Sequence, residues 1–280
     1  MVDPQFTKRP FFSAHKAEAV VLSTFPAKIK EYDMCPNGCM LFSGNETICQ
    51  GGSARYKANS MIPSAVVSYL PLSEQLASPF HSKRIREMLR HRAQRDADPD
   101  SETDVFDGHV YSNTMQQERQ FLTGRYDIAL ALFVDGFLPF RRSQHGSMTI
   151  VNVVILNFPS QERYKCENML QLSVILGSLK SGALFKFSTP LLDELAVLED
   201  AGMTVNFPNG RKIHAKAHLR LASGDLPAAS SLATHEYHSS TYGYRICNIR
   251  STPTIIHAGR GTGIRSVHDF EVGNMRPNVA

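Results

Sequence analysis

Apolar residues along the second half of the chain fall into short, well-separated blocks. Ile128 to Val134 is an unbroken apolar run of strand length, stopped by Asp135-Gly136. Met148 to Phe158 is rich in β-branched residues and reads as a strand. Met169 to Leu176, closed by Gly177, reads as a third. From Pro190 to Ala201 the spacing changes to a helical one, with Leu191, Leu192, Leu195, Val197 and Leu198 as the apolar positions. Pro190 suits the first turn of that helix and Gly202 its end. Ala215 to Ala222 alternates polar and apolar residues like a half-buried strand, and Ser223-Gly224-Asp225 follows it.

The first half is less regular. Residues 1–30 read as a connecting segment. Cys35 to Tyr56 is turn-rich, with glycines at 38, 44, 51 and 52. His81 to Arg95 predicts a helix with Ile85, Met88 and Leu89 on one side and mostly basic residues elsewhere. An acidic stretch from Asp96 to Asp107 follows it, which predicts a mobile loop and a boundary near residue 105. The expected division is therefore 31–104, 105–250 and a tail over 251–280.

Composition narrows the function without choosing it. A net charge of +4 permits nucleic acid as a partner but does not argue for it. No apolar run approaches the ~20 residues of a membrane helix, and the N-terminus lacks a signal peptide's apolar core, so an intracellular chain with reduced thiols is expected.

The order of elements, with an aspartate at the end of the first and the last strand, is the order in which an RNase H-like nuclease core begins. In such a core the two strands are neighbours, and Asp135 and Asp225 would meet at one edge. Phosphodiester chemistry uses carboxylates to hold divalent metal, magnesium or manganese, against the scissile phosphate. An aspartate beside a glycine after a strand is equally the signature of a turn. Asp193, Glu194, Glu199 and Asp200 read as the solvated face of their helix.

Five cysteines, three of them clustered, suit metal better than a disulfide framework. Cys35, Cys39 and Cys49 are three of the four ligands a structural zinc site takes. Gly52 stands at the natural fourth position, and His81 is an available substitute. A second zinc candidate is His235, His238 and Cys247. Cys166 reads as a buried thiol. Lys83, Arg84, Arg86 and Arg90 are candidates for phosphate contact, against the alternative that the helix pairs with the acidic stretch after it.

Several of these segments resemble, in order, the transposases of CACTA-type (Tnp2-like) DNA transposons. Leu132-Phe133-Val134-Asp135-Gly136 resembles the family's first catalytic aspartate motif. Asn157-Phe158-Pro159 through Arg163 resembles its N-L-P-x-x-x-R segment, and Leu191 to Gly202 resembles its P-L-x-x-E-L-x-x-L-x-x-G helix. Asp225-Leu226-Pro227-Ala228 resembles its second aspartate motif. His238 to Cys247 is similar to its H-S-x-x-x-G-C-R-x-C pattern, with Tyr244 in place of one cysteine.

The resemblance implies an α/β fold with a partial RNase H-like core behind a small cysteine-containing region. It also implies DNA as substrate, a transposase oligomer as partner, and a nuclear, otherwise cytoplasmic, location. Asp135 and Asp225 would then be the metal-binding, catalytic carboxylates. The family's third acidic motif has no match here, so the chain is expected to be truncated and inactive alone. The alternatives are a non-catalytic DNA-binding or transposase-interacting protein and a decayed element product.

Overall fold

The computed structural model describes residues 28–95, 103–109, 111, 121–138, 147–177, 179 and 182–233. The expectations for His235, His238, Cys247 and the tail lie outside the described residues.

A mixed six-stranded sheet organises the fold. Its strands are β1 (Lys30–Asp33), β2 (Val66–Tyr69), β3 (Ile128–Phe137), β4 (Met148–Ile155), β5 (Met169–Leu176) and β8 (Ala217–Gly224), in the order β1-β2-β5-β4-β3-β8. Every neighbouring pair is antiparallel except β3 and β8, which run parallel. Two further strands, β6 (Met203–Asn206) and β7 (Lys212–Ala215), form a separate hairpin.

The apolar run of β3 is continuous because both of its faces are buried. Ile128, Leu130, Leu132 and Val134 join the main core on one face. Ala129 and Ala131 pack with Phe106, Leu122, Val154 and Leu156 on the other. Met34, Val67, Leu72, Phe80 and Leu89 belong to the main core too, so residues on both sides of position 105 feed it. β1 and β2 extend the sheet beyond β5; the Val-Val-Ser-Tyr of β2 was the only local sign of them.

The long helix, Leu184–Asp200, starts six residues before the expected position and holds Pro190 in its interior. Pro190 has no N–H to give the Lys186 carbonyl. The Thr189 hydroxyl donates to that carbonyl instead, at 3.1 Å. Leu184, Phe187, Leu191, Leu195 and Leu198 form the buried stripe, whereas Leu192 and Val197 face outward. Gly202 ends the helix at a φ of +71° and donates to the Val197 carbonyl at 3.0 Å, as its position predicts.

Glu194 and Glu199 are not a solvated face. Glu194 is partly buried against the first turn of the helix Leu72–Ala77, accepting from the N–H groups of Leu72 (2.7 Å) and Ser73 (3.0 Å), the Ser73 hydroxyl, and the Tyr69 hydroxyl at 2.5 Å. Glu199 accepts from Arg220 at 3.2 Å. Burial pushes the Glu194 carboxyl up, but the hydrogen bonds outweigh it and hold the group below its usual 4.5. A carboxylate depressed by folding contributes stability that is complete above the unfolded value and is lost as pH falls through the folded one. The urea midpoint of the wild-type chain should therefore drop below about pH 4.5. Glu194→Gln should start from a lower midpoint and drop less; parallel profiles would refute this role.

Four other expectations change. The helix over 81–95 is a 3-10 turn (Ser78–His81) followed by two helices, Lys83–Leu89 and His91–Gln94. β4 stops at Ile155 because the Asn157 side chain takes over the hydrogen bonding there. The strand expected over 215–222 is divided between β7 and β8 at Lys216. In the acidic stretch, Asp107 is paired with Arg95 and Asp104 with Arg163, the second pair being about 5% exposed on both sides.

Candidate functional site

Asp135 and Asp225 are brought to the same end of neighbouring parallel strands. β3 continues through Asp135 and Gly136 to Phe137, with Gly136 opposite Thr149 of β4. Asp135-Gly136 is therefore part of the strand, which removes the turn reading. On the other side, Gly224 is the last residue of β8 and Asp225 caps the helix Leu226–Leu232, its Oδ1 accepting from the Ala228 N–H at 2.8 Å. This helix was not expected. Its signal was present in the sequence, an N-cap aspartate with proline in the first turn.

The alignment of the two aspartates depends on an irregularity. Leu130 faces Leu219, but Ala131 faces Leu221, so Arg220 is an extra residue on β8. Uniform pairing from Leu219 onward would set Asp225 opposite Gly136. The bulge shifts the register by one, so Val134 faces Gly224 and Asp225 follows in step with Asp135. Arg220 is held by Glu199 and by the Phe121 ring, whose centroid lies 4.3 Å from its guanidinium carbon.

Asp225 opens onto a cleft of about 650 Å³ whose walls include Val134, Gly136, Phe137, Pro227 and Ala228. Asp135 is exposed and does not line this cleft, since it follows Ala131 and Phe133 on the opposite face of β3. The two residues stand at the same end of the β3–β8 seam, Asp225 towards the cleft and Asp135 on the other face of β3. Asp225 has one oxygen committed to the cap and one remaining, and magnesium asks only one or two carboxylates of the protein.

The basic candidates are dispersed. Arg84 pairs with Glu162 at 2.9 Å, Arg86 donates to the Phe80 carbonyl and lies over the Phe207 ring, and the Nε of Arg90 is buried. Lys83 is exposed and near Glu87 only at 4.0 Å. The alternative pairing with the acidic stretch holds for Arg95.

The Sγ atoms of Cys35, Cys39 and Cys49 lie within 4.8 Å of one another, and Cys35 and Cys49 are buried. His81 is elsewhere, against the Phe207 ring. Burial pushes the Cys49 thiol up, but hydrogen bonds to its sulfur from Cys39 and from the Ser53 N–H prevail and lower it to about 6. Partial burial, with hydrogen bonds to Cys35 and Cys49, pushes the Cys39 thiol up to about 12. Cys166 is exposed rather than buried, because the 3-10 turn Cys166–Asn168 turns Asn168 inward instead.

Asn157 and Arg163 fix the frame around β3. Asn157 is fully buried and bonds to Ala129, Leu89 and Asp127. Arg163 bonds to the Phe158 carbonyl at 2.7 Å and to both oxygens of Asp104.

Residues 103–267, more than half of the chain, match the family model described as "Transposase family tnp2". No curated protein matches the sequence.

Proposed function

From the premise that the chain belongs to the tnp2 family of transposases, we propose that the sheet is a partial RNase H-like core and that Asp135 and Asp225 are two of its metal-binding carboxylates. The observation that carries this reading is the parallel pairing of β3 with β8, in step up to Val134 and Gly224. The spatial order β5-β4-β3-β8, with the long helix connecting β5 to the last strands, is the arrangement such a core begins with.

A magnesium or manganese ion bound there would stabilise negative charge on the attacking and leaving oxygens of a phosphodiester. The chain's own contribution is to hold the carboxylates. The Ala228 N–H fixes the Asp225 side chain, the bulge at Arg220 sets its register, and the β4 ladder holds Asp135. DNA is the substrate this reading implies, and the nucleus the place where the chain would meet it.

Two carboxylates alone are short of the three that such a catalytic site takes. Among the described residues, Glu194 and Glu199 are committed to other contacts, and Asp193 and Asp200 face solvent from the later turns of their helix. We therefore expect metal binding without DNA cleavage from this chain alone.

The test is manganese binding by the wild type, Asp135→Asn and Asp225→Asn, beside nicking of supercoiled plasmid in magnesium. Either substitution should weaken manganese binding by roughly tenfold or more, the scale on which metal sites respond to altered ligands, and the wild type should leave the plasmid intact. Equal binding by all three would end the metal-site reading. Nicking by the wild type that Asp135→Asn abolishes would show the chain sufficient for cleavage. Salt-sensitive DNA binding without any metal binding would favour the non-catalytic alternative.

A further inference from the structure

The cysteine-containing lobe, roughly residues 34–65, is not used by the nuclease reading. Its ladder is limited to isolated bridges, Met34 with Leu41, Ile48 with Ala54 and Tyr56 with Pro63. Its own small core is Phe42 with the cysteines, and Met40 packed against them. A segment with so little apolar surface to bury needs another source of cohesion. Arg55 supplies part of it, donating to Asp33 at 2.6 Å and to the Gly44 and Glu46 carbonyls at 2.9 and 3.2 Å.

Two turns in the lobe are built alike. In the first, Gly38, at a φ of +65°, donates its N–H to the Cys35 carbonyl at 2.9 Å. In the second, Gly52, at a φ of +82°, donates to the Cys49 carbonyl at the same distance. Each cysteine sulfur also receives a backbone N–H at 3.3 Å, though from different places in the turn: Asn37, two residues after Cys35, and Ser53, four residues after Cys49. Such N–H groups favour a thiolate over a thiol. The residue after the turn glycine is Cys39 in the first and Ser53 in the second. Ser53 is half-buried, and its hydroxyl oxygen accepts from the Asn37 side chain at 2.8 Å, which links the two turns.

We propose that Cys35, Cys39 and Cys49 hold a structural zinc ion and that its fourth position lies at Ser53, where an oxygen ligand completes the tetrahedron. Three thiolates select zinc among the common divalent ions. The turn correspondence places the odd ligand at Ser53 and not at Gly52, whose left-handed backbone is the feature that lets the turn close. The oxygen comes from the Ser53 hydroxyl or from a water held beside it.

The experiment uses the full chain, reduced and stripped of metal, titrated with zinc against a chelating dye and with cobalt by absorption. The expected result is one zinc per chain and a cobalt–thiolate charge-transfer band of three-sulfur intensity. Ser53→Cys should raise the band to four sulfurs and tighten zinc by roughly tenfold or more, whereas Gly52→Cys should do neither. Ser53→Ala separates the two oxygen sources: weaker zinc binding assigns the hydroxyl, unchanged binding assigns water. Far-ultraviolet circular dichroism on each variant identifies any that fails to fold. No stoichiometric zinc in the reduced wild type overturns the site. A fourth thiolate from Gly52→Cys but not from Ser53→Cys overturns the position of the open ligand.

Discussion

Asn157→Leu is expected to remove about 3–6 kcal/mol of folding stability, a large share of the about 5–15 kcal/mol typical of a domain. The side chain is fully buried, and its oxygen accepts from the Ala129 N–H at 2.8 Å. Its amide donates to the Asp127 carbonyl at 2.8 Å and the Leu89 carbonyl at 3.1 Å. Leucine nearly matches the volume but leaves all three backbone groups without partners in the interior. Each orphaned group costs about 1–3 kcal/mol, and the apolar burial of the leucine offsets only part of the sum. Because Leu89 ends the helix Lys83–Leu89, the variant should also loosen the first half of the chain from β3. Urea denaturation measures the effect. A loss below about 1 kcal/mol would mean that water enters and replaces the amide.

Gly224→Ala is expected to cost less stability but to damage the candidate site more. A Cβ at this position would stand 2.5 Å from the Val134 carbonyl oxygen and 2.7 Å from the Ala228 Cβ. One neighbour belongs to the β3 backbone and the other to the first turn of the helix Leu226–Leu232, so neither can rotate away. The end of β8 must move off β3, and Asp225, the next residue, moves with it. Overpacking of this kind costs about 1–3 kcal/mol. Manganese affinity should fall by roughly tenfold or more, since the aspartates lose their common register. Gly108→Ala is the control, because its nearest neighbour would be 3.6 Å away. Wild-type stability and manganese binding in Gly224→Ala would show that the seam has slack, and the register argument would fail.

Much of the scaffold is legible locally. The apolar run of β3, the bounds of β5 and the glycine ending the long helix follow from neighbouring residues, and the structure has them as expected. The early start of that helix was hidden because Pro190 signals a first turn; inside the helix, the Thr189 hydroxyl supplies the donor that the Lys186 carbonyl lacks. Glu194 reads as a surface residue because its partners, Tyr69, Leu72 and Ser73, are more than a hundred positions away. The proximity of the three cysteines was suggested by their spacing, but the likeness of their two turns rests on backbone angles that spacing does not contain.

By itself, then, the sequence determined what depends on periodicity and on single-residue stereochemistry: that β3, β4 and β5 are strands, that Leu191, Leu195 and Leu198 lie on a helix, and that Asp135 and Asp225 follow apolar strand segments. The tertiary structure decided how those segments align. Asp225 falls in step with Asp135 only because Arg220 is squeezed out of the β8 ladder, where Glu199 and Phe121 receive it. A side-chain pattern with a period of two cannot announce a one-residue slip, because the slip is settled by contacts made across the sheet, between residues distant in the chain.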